Sequence, residues 1–113
     1  MSGAAGAARV IVFLVAAYVI VNLDVHDAAL YEQYRTQAPA FVAKHGGRYL
    51  VRGGASEVVE GEWQPRRLVV LEFPDMDSAR SFFADPEYVV VAALRHRSTT
   101  SQVVIVEGVA PSP

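Results

Sequence analysis

Hydrophobic and polar residues alternate along residues 18–25, a pattern that predicts a β-strand with one buried face. The side chains of one face are Val19, Val21, Leu23 and Val25, and those of the other are Tyr18, Ile20, Asn22 and Asp24. The first face is entirely apolar, so we expect it to pack against the core of the domain.

Beyond Asp27 the apolar spacing changes to every three or four residues as far as His45, which predicts an amphipathic helix. Asp27 is a suitable N-cap, because its carboxylate can accept hydrogen bonds from the first turn. Pro39 lies inside this helix and is expected to kink it or to divide it in two. Gly46 and Gly47 are expected to end it, since glycine readily adopts the left-handed conformation.

Residues 48–51 predict a second strand, and Gly53 and Gly54 after it allow a bulge or bend. Residues 55–60 are expected to stay extended. Residues 67–73 form an almost unbroken apolar run that predicts a central strand buried on both faces.

Two acidic start signals follow this third strand. Asp75 or Asp77 should cap a short helix, and Asp85 followed by Pro86 should begin another. The remaining predicted elements are a helix at 87–97, a polar loop at 98–101 and a last strand at 102–106. The order strand, helix, strand, strand, helix, strand predicts an α+β fold, a ferredoxin-like βαββαβ sandwich with an antiparallel four-stranded sheet of order 4-1-3-2.

The composition suggests an oligomer. The chain has 113 residues, enough for one domain, and 52% of them are hydrophobic. With the helices on one side of the sheet, the other side would remain largely apolar, so we predict a homodimer that covers it. The net charge of −2 and the scattered charges give no basic face, and we expect neither a nucleic acid nor a membrane as partner. The absence of cysteine excludes disulfides, thiolate metal sites and thiol nucleophiles.

The first residues allow two interpretations. Arg9 precedes an apolar run at 10–21, which is shorter than the ~20 residues of a membrane-spanning helix but resembles the core of a secretory signal cleaved after Ala17. We favour the alternative that residues 1–15 are an unstructured extension ahead of a cytoplasmic domain at 16–109, with a tail at 110–113.

Several segments together resemble a bacterial family catalogued as domain of unknown function 1330. They are Ala-Tyr-Val-Ile at 17–20, Gly-Gly-Arg-Tyr-Leu-Val-Arg-Gly-Gly at 46–54, Glu-Gly-Glu-Trp at 60–63, Pro-Arg-Arg-Leu-Val-Val-Leu-Glu-Phe-Pro at 65–74, Asp-Pro-Glu-Tyr at 85–88, Leu-Arg at 94–95 and Val-Ile-Val-Glu-Gly at 104–108. The resemblance implies a dimeric α+β barrel but no established reaction. Relatives in that wider superfamily include small monooxygenases acting on polycyclic aromatics, muconolactone isomerases and haem-dependent chlorite dismutases, and the active-site pattern of none of these occurs here.

Polar residues on the predicted strands are the first candidates for a site. Alternation places Arg52, Glu72 and Asn22 on one sheet face, with Asp24 at the end of the same strand. These residues could bind a small anionic or carbonyl-bearing ligand, with Glu72 as acid or base and Arg52 as the other catalytic candidate. The favoured alternative is a structural ion pair between Glu72 and Arg52.

A second candidate group lies on the last helix. Tyr88 and Arg95 are two turns apart on one face and could line a ligand-binding cleft between helix and sheet, with Tyr18 or Trp63 beside them. Simple packing of Tyr88 with a snorkelling Arg95 is the favoured alternative.

The three histidines lack metal-ligand spacing, so neither a metal nor another cofactor is predicted. His45 is expected to be a cation at a helix C-terminus, and His96 to have its charged form disfavoured by its arginine neighbours. The sequence thus leaves two functions open. One is a small-molecule-binding homodimer, with a cofactor-independent isomerase or monooxygenase activity suggested by superfamily analogy alone. The other is a non-catalytic binding or accessory protein whose polar cluster is structural.

Overall fold

Four antiparallel strands and three helices make up the computed structural model, which describes residues 15–111 of the chain. The elements in chain order are β1 (Ala17–Val25), α1 (Ala28–Lys44), β2 (Arg48–Arg52), β3 (Arg67–Phe73), α2 (Met76–Ala84), α3 (Pro86–Ser98) and β4 (Thr99–Glu107). The expected extension and the alternative of a cleaved leader fall almost wholly on residues 1–14, outside the described residues.

The four strands form one sheet in the order β2-β3-β1-β4. Read from the β4 edge, this is the 4-1-3-2 order predicted from the sequence. β1 lies in the middle and pairs antiparallel with both β3 and β4, and β2 pairs with β3 at one edge. The arrangement is that of a ferredoxin-like α+β fold.

The core lies between the sheet and the helices. Val19, Val21 and Leu23 of β1 are buried there, so the predicted alternation of this strand is confirmed. The main core residues contributed by the other elements are Val69, Leu71 and Phe73 from β3, Tyr31 and Val42 from α1, Ala79 and Phe82 from α2, and Tyr88 and Ala92 from α3.

Aspartates begin all three helices. Asp27 accepts a hydrogen bond from the Leu30 amide at 3.1 Å, Asp75 from that of Ser78 at 2.7 Å, and Asp85 from that of Glu87 at 2.9 Å. The predicted caps are confirmed, and of the two candidates for α2 the cap is Asp75. Each carboxylate satisfies an amide that has no partner within the helix and lies at the positive end of the helix dipole.

α1 continues through Pro39 as a single helix, so of the two expected outcomes, a kink or a division, the division does not occur. Its end is as predicted: Gly46 has a φ of +78°, a conformation that glycine adopts without steric cost, and the Gly47 amide donates back to the Val42 carbonyl at 2.9 Å.

β2 ends in a bend at Gly53, whose φ is +72°, as expected from the glycine pair, and the strand also contains an earlier irregularity. Tyr49 pairs with Leu71 and Val51 pairs with Val70, which leaves Leu50 as an extra residue in the ladder. Such a bulge interrupts the alternation of side chains, so residues after it lie on the face opposite to the one that simple counting predicts. Residues 55–59 form no strand.

The predicted polar loop at 98–101 is wrong, because β4 begins at Thr99 directly after the last residue of α3. The Thr99 hydroxyl donates to the Arg95 carbonyl at 2.7 Å, and the Ser98 hydroxyl donates to that of Leu94 at 2.7 Å. These hydroxyls satisfy carbonyls at the end of the helix without any loop residues.

The sheet face turned away from the helices is uncovered. We call it the open face; its main residues are Tyr18, Ile20, Asn22, Val51, Leu68, Val70, Glu72, Val104 and Val106. Val104 and Val106 are 54% and 45% exposed, and Val70 is half-buried. β3 is therefore buried on one face only in the single chain, not on both as expected.

No helix within residues 15–111 has the length and apolar character needed to span a membrane, and the cytoplasmic location stays a prediction.

Candidate functional site

A narrow cleft lies between the helices and the sheet. Its floor is apolar and consists mainly of Val19, Val21, Leu23, Val69 and Leu71. Its walls and rim include Tyr31, Tyr34, Arg35 and Ala38 from α1, Tyr49 and Arg52 from β2, Phe82 and Phe83 from α2, Tyr88 and Arg95 from α3, and Val103 from β4. The enclosed space is about 30 Å³, room for water molecules but not for a larger ligand without side-chain movement.

Tyrosine hydroxyls supply the neutral polar groups of the cleft. The hydroxyls of Tyr34 and Tyr88 are 2.7 Å apart and form a hydrogen bond that joins α1 to α3. Burial, reinforced by Tyr88, raises the pKa of Tyr34 well above its ordinary value. Burial also raises the pKa of Tyr49. Both side chains are thus neutral at physiological pH and can donate or accept hydrogen bonds, but they cannot supply a phenolate base.

Three guanidinium groups surround these tyrosines. Arg52 lies 4.7 Å from the centre of the Tyr49 ring, Arg67 lies 5.5 Å from that of Tyr31, and Arg95 lies 5.8 Å from that of Tyr34. Such distances allow cation–π attraction. None of the ion pairs between described residues includes any of these three arginines. The cleft lining contains no carboxylate, and its formal charges are those of Arg35, which is paired with Glu32, and of Arg52 and Arg95.

The six ligand-binding candidates divide between the two sides of the sheet. Arg52, Tyr88 and Arg95 all line the cleft. Asn22 and Glu72 lie on the open face, where their register partners are Leu68 and Tyr18. Asp24 is exposed near the end of β1 and lines no part of the cleft.

The predicted pairing of Glu72 with Arg52 is wrong. Glu72 instead accepts a hydrogen bond from Arg48, whose Nε lies 2.8 Å from the carboxylate. The cause is the bulge at Leu50, which turns Arg52 to the helix side, opposite Val69. Arg52 there donates to the Arg35 carbonyl at 2.6 Å.

Neither Tyr18 nor Trp63, the expected neighbours of Tyr88 and Arg95, lies beside them in the cleft. Tyr18 lies on the open face, where the adjacent Glu72 carboxylate raises the pKa of its hydroxyl. Trp63 is 62% exposed and does not line the cleft. Three tyrosines occupy the predicted position instead, namely Tyr31, Tyr34 and Tyr49. The three-residue spacing of Tyr31 and Tyr34 on α1 is the signal in the sequence that could have identified two of them.

A separate cluster joins the end of α1 to the start of α3. Lys44 Nζ and His45 Nε2 each lie 2.8 Å from the same oxygen of Asp85. These two contacts hold the pKa of the Asp85 carboxyl well below its usual range. His45 is thus a polar side chain at a helix C-terminus, as expected, but it binds a specific carboxylate.

For His96 the predicted direction holds, but the main cause is different. Partial desolvation of the ring, followed by the charge of Arg95, lowers the pKa of its imidazole, although the side chain as a whole is exposed. Among residues 15–111 there is no group of three histidine or acidic side chains that could hold a metal ion.

Comparison with known protein families identifies the family of the chain. The family model described as "Domain of unknown function (DUF1330)" matches residues 16–109. The chain belongs to this family. A comparison of this DUF1330 chain with curated proteins finds no match.

Solved structures resemble the DUF1330 chain in fold. A protein of unknown function from Rhodopseudomonas palustris has a TM-score of 0.71 at 14% identity, covering 87% of this chain and 85% of that one. SnoaB, a cofactor-independent oxygenase from Streptomyces nogalater, has a TM-score of 0.58 at 20% identity, covering 88% and 98% of the two chains. A dimeric ferredoxin-like protein of unknown function from Jannaschia sp. CCS1 has a TM-score of 0.56 at 15% identity, covering 81% and 98%. At these identities the similarity establishes the fold alone.

Proposed function

We propose that this DUF1330 domain binds a small organic molecule in the cleft between its sheet and helices. The observation that carries the proposal is the combination of an apolar floor, four tyrosine side chains and two arginines without carboxylate partners in one internal space. Ligand sites are typically concave and mostly apolar, with a few polar groups that orient the ligand. A fully structural core would not need guanidinium groups facing it.

Ligand binding requires the cleft to widen, because its enclosed space of about 30 Å³ is smaller than any organic ligand. Arg52 and Val103 lie on its rim and are exposed, so their side chains can rotate without disturbing the core. Side-chain rearrangement of this kind is common when partners bind, while the backbone moves little.

Binding is a better-supported function than catalysis. An isomerase needs a group that takes up a proton, and the cleft lining offers neither a carboxylate nor an imidazole. Its tyrosines are poor bases, since the pKa values of Tyr34 and Tyr49 are raised. Glu72, the acid considered for this role, lies on the open face with Arg48. We therefore assign the cleft no reaction, although a likeness in fold to a cofactor-independent oxygenase exists.

We propose further that the protein acts as a homodimer joined through the open face. Val51, Val104 and Val106 are exposed there, and an apolar patch of this kind is unfavourable in water. The structural neighbour from Jannaschia sp. CCS1 is itself described as dimeric.

Thermal unfolding with a panel of small aromatic and aliphatic compounds tests the binding proposal. A compound that binds only the folded state at 100 times its Kd stabilises it by about 2.7 kcal/mol, an easily measured rise in Tm. Val103→Trp should abolish this rise, because the larger side chain fills the rim of the cleft. Val90→Trp is the matched control, since Val90 is 73% exposed on α3 and lies outside the cleft. A ligand whose effect survives Val103→Trp unchanged would bind elsewhere and contradict the proposal.

A further inference from the structure

Arg95 is a buried cation without a counterion. Its side chain on α3 is only 7% exposed, and no ion pair between the described residues includes it. Its neighbours are neutral: Nη1 donates to the Ser101 hydroxyl at 2.7 Å, and Nη2 lies 3.3 Å from His96 Nε2. Burying a charge with no opposite charge is strongly unfavourable, so such a group usually has a partner.

A second observation concerns what lies outside Arg95. A surface depression between α2, α3 and β4 is lined by Arg80, Phe83, Ala84, Arg95, His96, Ser101, Val103 and Ile105; we call it the outer depression. Three of these residues, Phe83, Arg95 and Val103, also line the cleft. Arg95 therefore lies between the outer depression and the internal space of the cleft. The formal charges on the lining of the outer depression are those of Arg80, which is paired with Asp77, and of Arg95, which has no carboxylate partner among the described residues.

We propose that the ligand of the cleft is an organic carboxylate, which enters through the outer depression and is held by Arg95 at its carboxylate end. This inference rests on the proposed function and specifies the chemical class of the ligand. The guanidinium has five N–H donors in a planar fork that matches a carboxylate, and only two of its nitrogens are engaged in the free protein. The Ser101 hydroxyl, already in contact with Nη1, is a third donor for the anion. The apolar body of the ligand then extends over the floor toward Tyr34 and Tyr88.

His96 assists by orientation rather than by charge. Partial desolvation of the ring and the neighbouring Arg95 lower the pKa of the imidazole, so its neutral form predominates near pH 7. A neutral ring can accept a hydrogen bond from Arg95 Nη2, which holds the guanidinium in place. His96 is thus a positioning residue in this arrangement.

The arginines at the other end of the cleft are weaker candidates for the anion site. Arg52 is exposed, and its charge is screened by water. Glu32 already places a carboxylate among the cations there, since it pairs with Arg35, and Arg52 and Arg67 contribute to lowering its pKa. The positive charge at that end is accordingly compensated within the protein, unlike that of Arg95.

Matched acids and amides distinguish the charge of the ligand from its shape. Benzoate, 2-naphthoate and decanoate, each paired with its primary amide, would be titrated into the full chain by calorimetry and by NMR. We expect at least one acid to bind at least tenfold more tightly than its amide. Arg95→Gln should abolish this preference, and Arg52→Gln, the matched removal of a cation at the other end, should retain it. The Hε resonance of Arg95 in the unmodified protein should shift with the acid and not with the amide, a result that does not depend on any variant folding.

The outcomes separate this inference from the proposal on which it rests. If acid and amide bind equally tightly, cleft binding stands and the carboxylate assignment is overturned. If the preference survives Arg95→Gln but not Arg52→Gln, the anion site is at the other end and the inference is wrong. If none of the six compounds binds and none of the neutral compounds of the thermal panel does, the proposed function fails as well.

Discussion

The hydroxyl pair of Tyr34 and Tyr88 gives the most direct single-residue test of the cleft geometry. Tyr34→Phe leaves the buried Tyr88 hydroxyl without its partner at 2.7 Å and should lower the free energy of unfolding by about 1–2 kcal/mol. The double variant Tyr34→Phe/Tyr88→Phe should cost less than the sum of the two single changes, because no hydroxyl is then left unpaired. Urea denaturation measures all three, with Tyr18→Phe on the open face as control. Strict additivity would show that the two hydroxyls do not interact.

The low pKa of Asp85 makes the free energy of unfolding depend on pH in the acidic range. Because the pKa of this carboxyl is lower in the folded chain than its unfolded value of about 3.9, its contacts stabilise the fold at every pH above that value. The stabilisation is lost as the pH falls below 3.9 through the folded-state pKa.

Asp85→Asn keeps an N-cap for α3 but removes the charge that Lys44 and His45 contact. The variant should be less stable than the parent at pH 7, and the difference should shrink steadily between pH 4 and pH 2. Urea midpoints across this range measure the effect. Asp77→Asn, which alters an exposed acid in α2, should show a much smaller pH dependence. A pH-independent difference for Asp85→Asn would contradict the ionic role of this carboxylate.

For single residues, the sequence predicted the features that depend only on neighbouring residues in the chain. The caps Asp27, Asp75 and Asp85 were identifiable because a carboxylate before a helix acts within three residues of itself. The pairing of Arg52 was not, because it depends on a bulge that no residue type around Leu50 indicates. Tyr88 and Arg95 do lie together beside the cleft, since residues seven apart share a helix face, but their role as ligand-binding residues stays a prediction.

Among the elements, β2 carries one residue more than its ladder with β3 requires, at Leu50. Deleting Leu50 should leave a regular ladder in which Tyr49 still faces Leu71 and Val51 still faces Val70. Arg52 would accordingly stay on the helix side. Leu50 is 44% exposed, so the lost burial should cost only about 1 kcal/mol.

Deleting Val70 instead is the matched control. Val70 is paired with β1 and β2 at once, so its removal reverses the facing of half of β3 and should unfold the domain. Circular dichroism and urea denaturation of the two deletion variants check this difference. Equal tolerance of both deletions would contradict the observed register.

The hydrophobic pattern was sufficient to predict the central strands but not the start of the last one. β1 was predicted because its alternating apolar side chains determine which face is buried. β3 was predicted from an unbroken apolar run, which identifies a strand but not the single face that is buried. The start of β4 was missed because residues 98–101 are polar, while their hydroxyls in fact close the end of α3. Polar residues that bond to nearby carbonyls are indistinguishable in sequence from those of a solvated loop.

For the whole molecule, the open face predicts self-association. Stable interfaces bury about 800 Å² per partner, an area that one face of a four-stranded sheet can supply. Val106→Glu should weaken the dimer more than tenfold, because an unpaired carboxylate would be buried in an apolar interface. Val90→Glu, a change at an exposed site on α3, is the control.

Sedimentation equilibrium at micromolar concentration measures both variants against the parent. A parent protein that stays monomeric, or a Val106→Glu variant that associates as strongly as the parent, would show that the open face is not the interface. Either result would leave the proposed cleft intact, because its lining comes from one chain.

Chemical-shift mapping with the tightest-binding compound of the panel tests most directly whether the cleft is a ligand site. At saturation the shifts should concentrate at Tyr34, Tyr88, Arg95 and Val103, which line the cleft. Resonances of Ile20 and Val104, on the opposite side of the sheet, should change little. Shifts confined to the open face, or the absence of any saturable shift at the cleft residues, would contradict ligand binding between the sheet and the helices.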